Sequence, residues 1–179
     1  MNRKIKIAVI GLGYVGLPTY LRLEKKFTCV GFDINKDRIY QLKNRFDVNK
    51  EFSFNDLKLN KKSKFSNKVS DLNDCNFYII TVPTPIYPDK KPDLRPLEKS
   101  CKILNKVIKN EDIVFFESTV FPGLIRSLKN RYFKKKKIFL GYSPERLNPG
   151  DKVNTIKKIK KIVSYDSCPN IIKKNISKV

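Results

Sequence analysis

Six residues near the amino terminus have the types and spacing of a phosphate-binding loop. They form the GxGxxG pattern Gly11-Leu12-Gly13-Tyr14-Val15-Gly16, which is a weak signal when it stands alone. Here the pattern follows an apolar run at residues 5–10 and opens residues 14–26, which favour a helix. In that setting the three glycines permit a tight turn, the approach of a pyrophosphate and close packing of helix on strand. Backbone amides at the helix start then bind the phosphates, so the segment predicts a dinucleotide site.

Asp33 lies about 20 residues beyond the glycines, at the end of a second apolar run, where dinucleotide-binding folds place a carboxylate on the adenosine ribose. Its charge would repel a 2′-phosphate, which favours NAD over NADP. The other interpretation is that Asp33 caps a helix beginning near Asn35. Arg38, one turn further on, either flanks the adenosine or is simply solvated.

Three polar loops follow later predicted strands and could meet at one crevice. They span Thr81 to Pro85, Glu117 to Gly123 and Ser143 to Gly150. The carboxyl ends of the strands are where open α/β sheets bind ligands. For each loop alone, strand termination by Pro and Gly, or helix capping by Thr84 or Thr119, explains the composition equally well.

The elements that must position these residues alternate along the chain. Strands are predicted at residues 5–10, 29–33, 77–82, 113–116, 137–142 and 159–165, and helices at 14–26, 35–45, 94–108 and 122–133. Residues 46–68 are polar and are predicted to be a surface excursion with one short helix near 55–59. The alternation predicts one α/β domain with a doubly wound, mostly parallel sheet of the Rossmann type.

Composition excludes several classes of protein. The 179 residues include no histidine, and the four cysteines form no CxxC pair, so we expect neither a metal site nor histidine-dependent nucleophilic catalysis. No apolar run approaches the ~20 residues of a membrane span, and none resembles a signal peptide. The scattered thiols agree with a cytoplasmic location.

The net charge is unusual, because 39 Lys and Arg face 17 Asp and Glu, which gives +22. Such a field attracts polyanions. The cations are spread along the whole chain, however, whereas nucleic-acid binders cluster them on one face. Compositional bias is therefore the better explanation, and a nucleic acid is not the expected partner.

Several strings of the sequence extend beyond GxGxxG: IGLGYVGLP, GFDIN, TVPTPI with the following PDL, ESTVFPG and GYSPERLNPGD. Of these, GYVGLP and ESTVFPG are far more specific than GxGxxG. Through these strings the sequence resembles the UDP-glucose/GDP-mannose dehydrogenase family over essentially its whole length. Through PERLNPGD the resemblance is greatest to the branch that oxidises UDP-N-acetylhexosamines for capsule and O-antigen polysaccharides. It implies NAD-dependent oxidation of a sugar C6 alcohol to a carboxylate, through an aldehyde and a cysteine thioester, with two hydrides transferred.

The resemblance also implies roles for individual residues. The NAD diphosphate would be held by Gly11, Gly13, Tyr14, Val15 and Gly16. Asp33 and Arg38 would lie at the adenosine, and Thr84 and Thr119 at the nicotinamide.

The same resemblance implies two catalytic residues and a substrate loop. Thr119 would also hold the water or hydroxyl at the reacting carbon, and Glu145 would assist thioester hydrolysis as a general base. Arg146, Leu147 and Asn148 would line the sugar nucleotide together with Glu145.

The family completes its site with a Lys and an Asn from a central helix and with a Cys in a GGxCxP segment, and none of these has a counterpart in residues 1–179. We therefore expect an NAD-binding domain without the family's central helix and C-terminal domain, inactive alone and partnered by a C-terminal complement or by its own copies. Two alternatives stay open: a stand-alone or decayed NAD-binding module without catalysis, and a basic nucleic-acid-binding protein.

Overall fold

The computed structural model describes residues 3–144, 162–166 and 168–179, and within them seven strands form one sheet. The strands are β1 Lys6–Ile10, β2 Thr28–Phe32, β3 Lys64–Ser66, β4 Phe77–Ile80, β5 Ile113–Phe116, β6 Phe139–Tyr142 and β7 Ser164–Tyr165. Their order across the sheet is β3-β2-β1-β4-β5-β6-β7. Strands β1 to β6 are parallel, and β7 is antiparallel to β6. The predicted doubly wound, mostly parallel Rossmann-type sheet is confirmed.

The strand order reverses between β1 and β4, and this position determines where a ligand can bind. The chain runs outward from β1 to β2 and β3, then returns across the sheet and runs outward again from β4 to β6. At such a switch point the connections leave in opposite directions, so a crevice opens at the carboxyl ends of the two central strands. The loops after β1 and β4 border this crevice.

Helices cover both faces of the sheet. They are α1 Gly16–Leu23, α2 Lys36–Lys43, α3 Arg95–Asn105, α4 Leu124–Tyr132 and α5 Asn170–Lys178, with a short 3₁₀ helix at Val69–Leu72. Helices α1, α2 and α5 pack on the face that presents Ile7, Val9 and Phe115. Helices α3 and α4 pack on the opposite face. The central strands are apolar at successive positions because both of their faces are buried.

The segment 46–68 differs from its prediction as a polar surface excursion. It contains the edge strand β3, and Leu57 is only 2% exposed. Residues 54–57 form a turn, so the short helix predicted near 55–59 is wrong. Sequence patterns did not predict β3, because a strand of three residues is too short to show a periodic pattern and its neighbours are polar.

Agreement at the carboxyl-terminal end of the chain is partial. Of the last predicted strand, only Ser164–Tyr165 is a strand among the described residues, and residues 159–161 lie outside them. Helix α5 was not among the predicted elements. Its Ile172 and Ile176 are buried against the face that carries α1.

Candidate functional site

The glycine loop connects β1 to α1 and lies beside the switch point. Gly11 has φ +93°, a conformation that L side chains rarely adopt, and its N–H donates to the Phe32 carbonyl oxygen at 2.8 Å. At Gly16 a Cβ would overlap the Gly11 carbonyl oxygen and Thr81 Oγ1. Gly11 therefore makes the turn, and Gly16 allows α1 to pack closely on β1 and β4.

Gly13 is the opposite case, because a Cβ built there meets nothing within 4 Å. The loop thus leaves open space over its middle glycine, beside the exposed Tyr14. Val15 precedes α1 without a side-chain cap, and the first turn of α1 carries no acidic residue. Open space beside an uncapped helix start fits the diphosphate of a dinucleotide.

Thr81 positions the loop, although sequence reasoning assigned it no role. Its Oγ1 lies 3.0 Å from the Ile10 carbonyl oxygen and 2.8 Å from the Gly11 carbonyl oxygen. Its backbone N–H also donates to Ile10 O at 2.9 Å. The side chain at the end of β4 therefore fixes the turn after β1. The sequence signal that could have revealed it is a threonine directly after an apolar strand, at the edge where the glycine loop lies.

Asp33 holds the other side of the glycine loop. Its Oδ2 accepts from the Leu12 N–H at 2.8 Å, and its Oδ1 accepts from the Asn35 N–H at 2.9 Å. The cap of α2 is Asn35, whose side chain accepts from the backbone N–H groups of Asp37 and Arg38. The helix-cap alternative for Asp33 is therefore wrong. Each of its oxygens keeps a further lone pair that a ribose hydroxyl could use.

Arg38 is buried, so the alternative that it is simply solvated is also wrong. Its Nε donates to the Leu12 carbonyl oxygen at 2.9 Å, and its Nη1 lies 2.7 Å from Asp47 Oδ1. Its Nη2 is buried and has no hydrogen-bond partner in the described part of the chain. The backbone of Leu12 is thus held by two side chains: Arg38 donates to its carbonyl oxygen, and Asp33 accepts from its N–H.

Asp47 is the buried partner of Arg38 and was not singled out from the sequence. Its side chain is fully buried, and its Oδ2 accepts from the N–H groups of Glu51 (3.0 Å) and Phe52 (3.2 Å). A carboxylate with an arginine and several N–H donors is satisfied despite its burial. Through Arg38, Asp47 connects the segment after α2 to the glycine loop.

The loops after β4 and β5 meet at the carboxyl ends of these strands. Thr84 Oγ1 donates to the Thr119 carbonyl oxygen at 3.0 Å, and Ser118 Oγ donates to the Val82 carbonyl oxygen at 2.6 Å. Thr84 is half-buried and Thr119 is exposed. The fold therefore brings together these two sequence-predicted threonines.

The third predicted loop is described only at its start. The Ser143 N–H donates to the Phe116 carbonyl oxygen at 3.0 Å, which places the beginning of this loop beside the end of β5. Glu145, Arg146, Leu147 and Asn148 lie outside the described residues. Their catalytic and substrate-binding roles stay predictions.

The cysteines do not form a nucleophilic centre. Cys29, Cys75 and Cys101 are buried, and this burial raises the pKa of each thiol to about 12. Thiolates, not thiols, are the nucleophiles, so these three are unreactive at neutral pH. Among the described residues, no group of His, Cys, Asp and Glu could hold a metal ion.

Thiol labelling tests this assignment. In the native protein at pH 8 we expect iodoacetamide to modify only Cys168, which is half-buried, whereas all four thiols react after unfolding. Peptide mapping by mass spectrometry identifies the labelled sites. Rapid native labelling of Cys29, Cys75 or Cys101 would contradict the burial of these side chains.

The described residues also include no helix with the length and apolar character needed to cross a bilayer.

Comparison with known proteins assigns the chain to a family. The sequence profile of the "UDP-glucose/GDP-mannose dehydrogenase family, NAD binding domain" matches residues 5–170. The chain is 46% identical over 169 residues to the UDP-N-acetyl-D-glucosamine 6-dehydrogenase of Salmonella typhi, covering 90% of this chain and 40% of that protein. It is 44% identical over 177 residues to the enzyme of the same name from Pseudomonas aeruginosa, covering 94% of this chain and 42% of that protein. The chain therefore spans about two fifths of the length of these curated relatives.

Solved structures agree with the sequence comparison. The UDP-D-ManNAc dehydrogenase of Pyrococcus horikoshii superposes with a TM-score of 0.71 at 31% identity, covering 82% of this chain and 37% of that one. The NDP-N-acetyl-D-galactosaminuronic acid dehydrogenase of Methanosarcina mazei superposes with a TM-score of 0.80, covering 90% of this chain and 39% of that one. At 22% identity the latter shows the fold alone.

Proposed function

The chain belongs to the UDP-glucose/GDP-mannose dehydrogenase family and is its NAD-binding part, and we propose that it serves the oxidation of a UDP-N-acetylhexosamine at C6. The observation that supports the NAD-binding part of this proposal most strongly is the glycine loop. It combines the turn at Gly11, the open space over Gly13 and the close packing at Gly16 in one segment. The identity to UDP-N-acetyl-D-glucosamine 6-dehydrogenases supports the acetamido sugar as substrate.

Bound NAD would supply a hydride acceptor, and the residues of this chain would hold and orient it. The amides of the glycine loop would bind the diphosphate, and Asp33 would accept hydrogen bonds from the adenosine ribose. Thr84 and Thr119, joined by their hydrogen bond, would form the wall at the nicotinamide. Proximity and orientation at this wall lower the entropic part of the barrier to hydride transfer.

The step from aldehyde to uronate needs a thiolate, and the three buried cysteines do not offer one. We propose that this thiolate comes from a C-terminal complement, on the same polypeptide or on another chain. Glu145 would then act as the general base for thioester hydrolysis, with Arg146 to Asn148 on the sugar nucleotide. The cytoplasmic location and the assembly of identical copies stay predictions.

Cofactor titration tests the first half of the proposal. By isothermal titration calorimetry we expect NAD to bind at least about tenfold more tightly than NADP, because the Asp33 carboxylate repels a 2′-phosphate. Replacing Asp33 with asparagine removes this charge at nearly constant size and should narrow the preference to less than about threefold. Equal affinities of the unchanged protein for NAD and NADP would refute the ribose role of Asp33.

Turnover tests the second half. Residues 1–179 with NAD and UDP-N-acetylglucosamine should produce no NADH absorbance, whereas addition of a matched C-terminal half that carries the GGxCxP cysteine should restore it. NADH production without the added half would contradict the need for an external thiolate. Failure of restoration, with NAD binding intact, would favour the stand-alone NAD-binding module.

A further inference from the structure

A groove of about 630 Å³ at the edge of the sheet opposite the cofactor site carries a concentrated positive charge. It lies at the amino-terminal ends of β1 and β2, near the carboxyl-terminal ends of α1 and α5. Arg3 lines it together with Lys4, Lys25, Lys26, Lys61, Lys62 and Lys178. We call this surface the basic groove.

The lysines of the basic groove lack close carboxylate partners in the part of the chain that the structure describes. Within the described residues, none of its six lysines forms an ion pair within 4.0 Å. Arg3 pairs with Asp112 at 3.2 Å. The charge of Lys25 has only a small effect on Asp56, because the pKa of that carboxyl is lowered mainly by hydrogen bonds from Ser53 and to a smaller extent by Lys25.

Among the described residues that line the groove, Glu24 is the one with a carboxylate side chain, and its hydrogen bonds fix the wall of the groove. Glu24 is buried, and its Oε2 accepts from the Asn60 backbone N–H at 3.0 Å. The Asn60 side-chain amide donates in return to the Glu24 carbonyl oxygen. This reciprocal pair fixes the segment that carries Lys61 and Lys62 against the end of α1. Hydrogen bonds between the two chain segments therefore hold Lys61 and Lys62 near Lys25.

Local effects account for only part of this charge. Lys25 and Lys26 follow the end of α1, where a helix dipole favours cations. Lys61, Lys62 and Lys4 have no such local reason, and like charges gathered in one concavity repel one another. An anion with several charges, bound in the groove, would reduce this repulsion.

We propose that the basic groove binds a compact polyphosphate, meaning a short phosphate chain that is free or belongs to a nucleoside triphosphate. Four separate chain segments converge on one concavity, which suits a compact anion. A nucleic acid places a charge every ~1.7 Å along its axis and calls for an extended basic stripe. The site is separate from the glycine loop and does not depend on the proposed dehydrogenase function.

Calorimetric titration of the full chain with inorganic tripolyphosphate tests the proposal. We expect the triple variant Lys25→Gln, Lys61→Gln, Lys62→Gln to weaken binding by at least about tenfold. The matched control is Lys134→Gln, Lys135→Gln, Lys137→Gln, which removes the same charge from the exposed turn before β6 and should change the affinity by less than about twofold. Saturating NAD should leave the tripolyphosphate affinity unchanged.

Three results would overturn the proposal. An equal loss in the control triple variant would show attraction by net charge alone. Competition by NAD would place tripolyphosphate in the glycine loop. Absence of tripolyphosphate binding, with an oligothymidine affinity that rises with length, would identify a nucleic-acid surface. Titration with ATP separates the two sources of the phosphate groups. Equal affinities for ATP and tripolyphosphate would show that the groove recognises the phosphates alone, and tighter binding of ATP would identify a nucleoside triphosphate as the ligand.

Discussion

Replacing Gly16 with alanine is expected to reduce NAD affinity by more than about 100-fold and to lower the free energy of unfolding by about 3 kcal/mol. The added Cβ would overlap the Gly11 carbonyl oxygen and Thr81 Oγ1. The first is backbone, and the second is a short hydroxyl already bonded to the Ile10 and Gly11 carbonyl oxygens. Since neither can rotate away, α1 must move off the sheet, and the amides at its start leave the diphosphate site.

Gly13 to alanine is the matched control for this variant, because it adds the same methyl group three residues earlier. Its Cβ meets no protein atom within 4 Å, so the thermal midpoint should be unchanged. NAD affinity should still fall, by about tenfold or more, because the methyl group occupies the space for the diphosphate. Thermal unfolding followed by circular dichroism, with NAD calorimetry, separates the two effects. Unchanged NAD affinity in both variants would refute the diphosphate role of the loop.

Replacing Asp47 with alanine is expected to cost about 3–5 kcal/mol of unfolding free energy, since removal of one partner leaves the other as an uncompensated buried charge. The guanidinium of Arg38 is 2.7 Å from Asp47 Oδ1. The N–H groups of Glu51 and Phe52 lose their acceptor as well. A domain of ordinary stability has only about 5–15 kcal/mol in total, so urea denaturation should show a large shift of the midpoint.

The exposed pair Lys6 and Asp74, 3.7 Å apart, gives the comparison for this prediction. Asp74 is 82% exposed in its side chain, so its replacement by alanine should change the unfolding free energy by about 0–1 kcal/mol. A double variant that replaces Arg38 with methionine and Asp47 with leucine should lose less stability than the two single changes together. Similar small losses for the Asp47 and Asp74 variants would show that the Arg38 pair is not buried in solution.

The sequence alone determined the Rossmann-type sheet and the glycine loop, because both depend on neighbouring residues. Apolar runs such as Ile113–Phe116 predict buried strands directly, and that strand has the predicted bounds. GxGxxG between a strand and a helix is likewise a local pattern, so the roles of Gly11 and Gly16 follow from their positions in it. Specific strings such as ESTVFPG then predicted the family that the comparisons confirm.

The tertiary structure alone decided which side chains hold the loop in place. Thr81 reaches carbonyl oxygens about 70 positions earlier in the chain, and Arg38 pairs with Asp47 nine positions later, beyond the end of α2. Edge strand β3 was also missed, because three residues carry no period. Hydrophobic periodicity reports how each segment faces the core, whereas a hydrogen bond between distant residues depends on where the folded chain brings them. Most buried polar groups have hydrogen-bond partners, and only the assembled fold shows which partners these are.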